Sequence, residues 1–298
     1  MKALHTPKLG TSLRVSGLKL KSTEARHKTG VPFKNKTYNS VMTSQDLNNK
    51  NKQLDVNKVE ADTPGLLGIY EGFVRRFKTL GFTLMLLPLS VICIFAMSLS
   101  ATPAVIFFKW VMSHVTHWPD FFQAFALAAS LIIGYFIYGV CLCFVMPAIN
   151  FLLPLKLKPW RGIWFSIQAI PWYYHNALTY MVRYTFLEMV TPSPLNVLFY
   201  RMMGMKIGQG VVINTTHISD PCLIELGDYV TIGGSAHLLA HYGQKGILIL
   251  QKVKVGPYST IGLKASVMGG VTIGERCMIK PHAVVIPRTV VADGESFG

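Results

Sequence analysis

Acidic side chains are scarce in this chain. Asp and Glu supply 14 of its 298 residues against 29 Lys and Arg, a formal net charge of +15. Charged residues of both signs make up only 14%, where an ordinary soluble domain has about a quarter. That excludes an acidic solvating protein and argues against a wholly soluble single domain. Cysteine is sparse too. Cys93, Cys141, Cys143, Cys222 and Cys277 show no metal-ligand spacing with histidines and no disulfide ladder, so they read as small buried hydrophobes in a reducing compartment. No apolar run follows Met1, so no signal peptide is expected there. The first sixty residues carry only Phe33 and Tyr38 as aromatics, with twelve Lys or Arg against four Asp or Glu. Such a segment cannot bury a core. Residues 1–62 are expected to form a disordered basic tail, either simply solvated or held electrostatically to anionic lipid. Two rings are too few to stack bases, so no nucleic-acid partner is expected.

Charge then vanishes altogether over two stretches, Thr79–Phe108 and Phe121–Leu155. Each exceeds the roughly 20 apolar residues that a bilayer-spanning helix needs. Residues 63–158 are expected to be a transmembrane helical hairpin, with spans near 79–100 and 121–149. Arg75, Arg76 and Lys78 precede the first span, and Lys156, Lys158 and Arg161 follow the second. The excess of basic residues at both outer flanks predicts an integral membrane protein, in a bacterial inner membrane, with both termini cytoplasmic. Residues 159–204 bring Trp160, Trp164, Trp172, Tyr173, Tyr174, Tyr180 and Tyr184. They read as interfacial amphipathic helices in contact with lipid, or as a helical linker packed on the next domain.

From residue 207 a new period takes over. Val255-Gly256, Ile261-Gly262, Val267, Ile273-Gly274, Ile279 and Val285 fall in strict six-residue register, after Ile207-Gly208, Ile213, Leu226-Gly227 and Ile232-Gly233. Neither a helical nor a simple strand period fits. A six-residue period predicts a parallel β-helix whose aliphatics stack inside a triangular prism. The phase breaks twice. Ile213 to Leu226 spans thirteen residues and holds Ser219, Asp220 and Pro221. Ile232 to Val255 spans twenty-three and holds His237, His241, Tyr242, Gln244 and Lys245. Excursions from a rigid scaffold are where chemistry tends to sit.

This pattern resembles the hexapeptide-repeat acyltransferase superfamily. Over Thr191–Thr289 it is similar to the membrane-linked C-terminal domains of ε-poly-lysine-type synthetases. The likeness rests on Thr191-Pro192, the run Leu198-Phe199-Tyr200-Arg201-Met202-Met203-Gly204-Met205-Lys206-Ile207-Gly208, then Leu226-Gly227-Asp228, His241, and the coils from Val255 onward. It implies a membrane α-helical hairpin followed by a left-handed parallel β-helix over residues 205–298, assembled as a homotrimer. It also implies transfer of an acyl group from acetyl-CoA or another acyl-CoA to a small-molecule, glycan or amine acceptor, with no metal. Where those synthetases have an acidic residue three positions after the histidine, this chain has Gln244. The 298 residues hold no adenylation or carrier module, so a partner synthetase is a second expectation, with the β-helix then serving as a trimerisation or docking module. A zinc hydratase on the same scaffold needs three well-placed ligands, and the family-like three-histidine motif is not present.

His241 is the candidate general base, because an imidazole titrates near neutral pH. It lies fifteen residues before Gly256, a spacing the resembling domains share. His237 is its candidate catalytic or orienting partner. Asn214 and His217, on the preceding coil, are candidates for the acceptor pocket. The resemblance points to Gly262, Leu263, Lys280, Pro281 and Arg288 beside the pantetheine and phosphates of the cofactor.

Overall fold

The computed structural model describes residues 60, 61 and 64–298, all within the compact unit Gln53–Gly298. The basic tail read from the sequence lies outside the described residues, apart from Glu60 and Ala61.

Among the described residues, three α-helices come first. A short helix, α1 (Leu66–Arg76), buries a Glu71–Arg75 ion pair of 2.7 Å one turn apart. It passes at once into α2 (Lys78–His114), and α3 (Asp120–Leu152) returns alongside it. Gly81 permits the tight crossing of α1 and α2, because a Cβ there would lie 2.6 Å from the Cα of Val74. At 1.5 Å per residue, α2 and α3 are about 50 Å long. Both are long and apolar enough to cross a membrane, with mean hydropathy of 2.4 and 2.2 in their most apolar windows. Val91, Ile94, Phe95, Leu99, Ile132 and Ile133 point away from the protein. The expected end of the first span near residue 100 is not an end. The helix carries Pro103 in its interior and stops only at His114, as apolar helices tolerate proline where neighbours compensate.

The segment expected to be interfacial helices begins instead with a strand. Trp160–Ile163 pairs antiparallel with Ile247–Leu250. Then α4 (Ile170–Thr185) and α5 (Pro194–Met202) follow. One apolar face of each packs on protein, while Tyr184 and Leu198 stay exposed. Leu178, Val182, Phe199 and Tyr200 are fully buried. The Phe186 ring lies so close to α3 that a Cβ on Gly139 would sit 2.1 Å from it. Ser193 caps α5, its hydroxyl accepting from Leu195 N at 3.2 Å, with Pro194 at the first turn. Gly204, at φ 97, ends it. The buried amide of Asn196 donates to Ile213 O at 2.8 Å and ties α5 to the first coil.

The hexapeptide repeat builds a parallel β-helix. Its first face aligns Ile207, Leu226, Val255, Ile273 and Val291 in parallel register. Its second aligns Ile213, Ile232, Ile261, Ile279 and Phe297. Its third aligns Ile218, Leu238, Val267 and Val285. Ile232, Leu238, Ile261, Val267, Ile279 and Val285 are fully buried. Complete burial of one such side chain contributes about 1.5–3 kcal/mol. Corner glycines are demanded by the coil beneath: a Cβ on Gly262 would lie 2.6 Å from the nitrogen of Pro281.

The long phase break resolves into a hairpin, His241–Gln244 with Ile247–Leu250. Its two turn residues, Lys245 and Gly246, have φ of 50° and 75°, the pair of positive values a tight hairpin turn requires. His237 is not part of this excursion. It lies on the third-face strand His237–Leu239 of the coil proper.

Candidate functional site

The site lies where the third face turns into the first. On one coil, strand Ile218–Ser219 ends at this edge and Asp220 takes left-handed backbone angles, φ 58 and ψ 49, a region Asp enters more readily than most residues. On the next coil the hairpin leaves the same edge, and His241 is its first residue. The Asp220 carboxylate is fully buried. It accepts two hydrogen bonds, from Asn176 Nδ2 at 2.7 Å on Oδ1 and from His241 Nδ1 at 2.5 Å on Oδ2. A carboxylate held this far from water needs such partners, since an uncompensated buried charge costs several kcal/mol.

The pairing sets the state of the imidazole. With Nδ1–H donating to the carboxylate, the neutral ring carries its lone pair on Nε2. That nitrogen has no hydrogen bond among the described residues, and the side chain is 17% exposed. The Trp172 ring meets the imidazole edge-on, at 5.0 Å and 73°. Trp172 in turn packs edge-to-face on Trp164 at 5.3 Å. A Cβ on Gly243 would lie 2.8 Å from Trp164, so the hairpin closes against this aromatic wall. Below His241, Gly269 makes the next close approach, its ideal Cβ 2.9 Å from Ala240 O and 3.3 Å from His241 N.

One stripe of α4 supplies the rest of the wall. Trp172, Asn176, Tyr180 and Arg183 follow at intervals of four, four and three, and so share a helix face. Tyr180 pairs its hydroxyl with Ser219 Oγ at 2.8 Å. The Arg183 guanidinium lies 4.9 Å over Tyr184. Neighbouring His175 lies about a quarter turn round the helix and is buried. Burial pushes its pKa down to about 4, against the opposing field of Asp220.

The sequence candidates divide between the two edges of the third face. His217 and His237 stand beside each other on that face, ring centroids 4.6 Å apart at 64°. Burial, then the charges of Arg183 and His237, hold His217 below the usual imidazole range. His237 N donates to Ala265 O at 2.8 Å, so its backbone belongs to the coil ladder. Asn214 lies three residues before His217 on the same coil. It sits at the second-to-third-face edge, where a Cβ on Gly234 would lie 3.2 Å from Leu263 and 3.6 Å from Asn214 Nδ2. Gly262 and Leu263 stack at this edge on Lys280 and Pro281 of the next coil. Arg288 lies across the face at the His241 edge. Its Nε donates to Gln251 Oε1 at 3.3 Å, and Gln251 N donates to Ala240 O at 2.8 Å.

Three features escaped the sequence reading. Asp220 sat in a noted phase break without a role, although a thirteen-residue spacing holding Asp-Pro was its signal. Trp172 reads in the sequence only as one of the interfacial aromatics, and Asn176 is not singled out there; its spacing of four from both Trp172 and Tyr180 was the signal. Neither of two cavities, about 420 Å³ beside α5 and about 250 Å³ at the end of α3, is lined by His241. Among the described residues no three His, Cys, Asp or Glu side chains come together as a metal site.

No family model matches the chain, and no curated protein does. Solved structures that it resembles include a maltose O-acetyltransferase from Clostridium difficile 630, 17% identical over 46% of this chain and 89% of that one, with a TM-score of 0.32. A Neisseria gonorrhoeae serine acetyltransferase is 14% identical over 64% of this chain and 91% of its own, with a TM-score of 0.31. A hexapeptide-repeat acetyltransferase from Vibrio cholerae O1 biovar eltor, complexed with acetyl coenzyme A, is 16% identical over 40% of this chain and 81% of its own, with a TM-score of 0.29.

Proposed function

We propose that this chain is a membrane-anchored acyltransferase. It moves an acyl group from an acyl-CoA to a hydroxyl or amine acceptor, with His241 as general base. The observation that carries the reading is the Asp220–His241 pair at 2.5 Å, with Nε2 left without a partner among the described residues. The acceptor O–H or N–H gives its proton to Nε2 as its oxygen or nitrogen attacks the thioester carbonyl. The tetrahedral intermediate then expels the CoA thiolate, which takes the proton back from Nε2. The acyl–sulfur bond breaks and an ester or amide bond forms. Asp220 keeps the proton on Nδ1 and stabilises the imidazolium formed in between. His217 and His237 line the acceptor side. At the second-to-third-face edge Gly262, Leu263 and Pro281 supply the narrow corner for pantetheine and Lys280 a cation for the CoA phosphates; in the trimer that edge meets the His241 edge of a neighbouring copy, where Arg288 adds a second cation.

In this reading α2 and α3 cross the membrane and both termini are cytoplasmic. Cysteines placed at Ser113 and Gly298 would test this. Labelling of the C-terminal position from outside sealed cells would overturn it. The β-helix forms a homotrimer. Val212, Tyr258, Met278, Val284 and Val290 leave apolar surface on its outer faces, which packing of copies would cover. Native mass measurement in detergent should show three chains.

The catalytic test is His241→Asn, which keeps an N–H donor for Asp220. Substitution by Ala would strand the buried carboxylate. Release of CoA thiol should fall by roughly 10²–10⁴-fold, with CoA binding little changed. Full activity in His241→Asn, or failure of the wild type to bind acyl-CoA, would leave the β-helix as a docking module for a partner synthetase.

A further inference from the structure

The outer side of the first face runs from charged to apolar along the β-helix. Lys206, Glu225, Lys254, Thr272 and Val290 follow one another in parallel register, one per coil. Lys206 Nζ and Lys252 Nζ both reach Glu225 Oε1, at 3.1 and 3.2 Å, and Lys254 Nζ lies 4.0 Å from Oε2. One carboxylate thus faces three ammonium groups and neutralises one. These charged coils are the ones beside the end of α3. The cavity there is lined by Asn150, Phe151 and Lys156 together with Met203, Gly204 and Cys222. Lys206 follows Gly204 by two residues, and Glu225 follows Cys222 by three. Trp160 pairs antiparallel with Leu250, so Lys158 and Lys252, each two residues beyond that pair, leave the ladder at the same end. Lys156 and Lys158 are exposed. Among the described residues Glu225 is the only acid that pairs with any of these five lysines.

We infer that Lys156, Lys158, Lys206, Lys252 and Lys254 form a collar that binds the phosphates of anionic phospholipids where α3 leaves the bilayer. The inference rests on the reading of α3 as a span and goes beyond it, because it gives the β-helix itself a contact that selects lipid by charge. A lysine is a point charge with three donors on a flexible stem, which suits a phosphodiester. A choline headgroup cancels the charge of its own phosphate, and an anionic lipid does not. Position favours lipid over an acidic protein as the partner. The lysines flank the end of α3, where Phe151 and Leu152 are 80% and 77% exposed, and the same face turns to Thr272 and Val290 on the coils farther along.

The test uses the full-length protein in phosphatidylcholine nanodiscs that carry a trace of spin-labelled phosphatidylglycerol or spin-labelled phosphatidylcholine. The fraction of label immobilised by the protein reads lipid association. Phosphatidylglycerol should associate roughly 5- to 25-fold more strongly than phosphatidylcholine at low salt, from one or two lysines at about fivefold each. The preference should shrink at about 0.5 M salt. The combined variant Lys156→Gln, Lys158→Gln, Lys252→Gln should bring it to within about twofold of parity. Glu225→Gln frees the ammonium groups it now pairs and should raise the preference by about fivefold, a gain that a misfolded variant would not give. Protein that stays out of the discs would refute the spans, and the inference with them. Protein in the discs without a lipid preference would refute the collar alone. An equal preference in wild type and the triple-lysine variant would assign the contact to other basic residues, and binding of soluble polyglutamate in place of phosphatidylglycerol would assign the collar to an acidic protein. Either result, or a fall in preference on Glu225→Gln, would overturn the inference.

Discussion

Removing the Asp220 carboxylate tests the charge and the orientation of the dyad separately. In the reaction proposed, the His241 ring becomes an imidazolium only in the transition state and intermediate. A unit charge about 4 Å away, at an effective dielectric constant near 20, stabilises it by about 4 kcal/mol. At about 1.4 kcal/mol per decade, that is close to a 10³-fold effect on kcat. Asp220→Asn loses this charge. Asp220 presents Oδ1 to Asn176 Nδ2 and Oδ2 to His241 Nδ1; the single oxygen of the new amide can hold the His241 ring only by turning its NH2 towards Asn176 Nδ2, a donor against a donor. Asp220→Ala loses the charge and the tether together, and two buried N–H donors go unpaired at about 1–3 kcal/mol each, partly offset by relief of the buried charge. Both variants should therefore lose about 10³-fold in release of CoA thiol, and Asp220→Ala should fall further. Circular dichroism melts would confirm that the β-helix is retained. The Nδ1-protonated tautomer should be visible by nitrogen NMR in the wild type and not in Asp220→Ala. If Asp220→Asn stays within threefold of wild type, the carboxylate does not stabilise an imidazolium and the mechanism fails.

Other substitutions probe the scaffold and the wall around it. Ile261→Ala removes a fully buried member of the second-face stack and should cost about 2–5 kcal/mol in urea unfolding; a loss under 1 kcal/mol would mean that the prism interior is not closely packed. Gly269→Ala adds a Cβ 2.9 Å from Ala240 O, so it should displace the base of the hairpin, costing about 1–3 kcal/mol and lowering kcat more than it raises KM. The depressed pKa of His175 gives a pH effect of known sign. Its ring is neutral in the fold down to about 4, while the unfolded chain binds the proton near 6.5. Stability should be full above about pH 6.5 and fall by up to about 3 kcal/mol as pH drops towards 4. His175→Gln should flatten the melting temperature across that window, and an unchanged slope would show that this histidine is not the cause.

What the chain declared by itself was whatever depends on local period and composition. The six-residue register of Val255, Ile261, Val267, Ile273, Ile279 and Val285 is written in neighbouring residues, because each aliphatic stacks on its equivalent one coil away. The two apolar helices were legible for a similar reason, since thirty residues without charge have few other uses. The phase break around His241 was visible as a break, but not as a hairpin. Its third strand, Trp160–Ile163, comes from the far side of α4 and α5, and antiparallel pairing at that distance leaves no periodic trace. Tertiary structure alone decided the site. Asp220 and His241 meet because the coil returns one edge upon itself, and Trp172 and Asn176 reach them because α4 packs along that edge. It also set Arg288 apart from Lys280, at the two different edges of the third face. A hydrogen bond between distant residues depends on where the backbone carries them, and composition does not encode that.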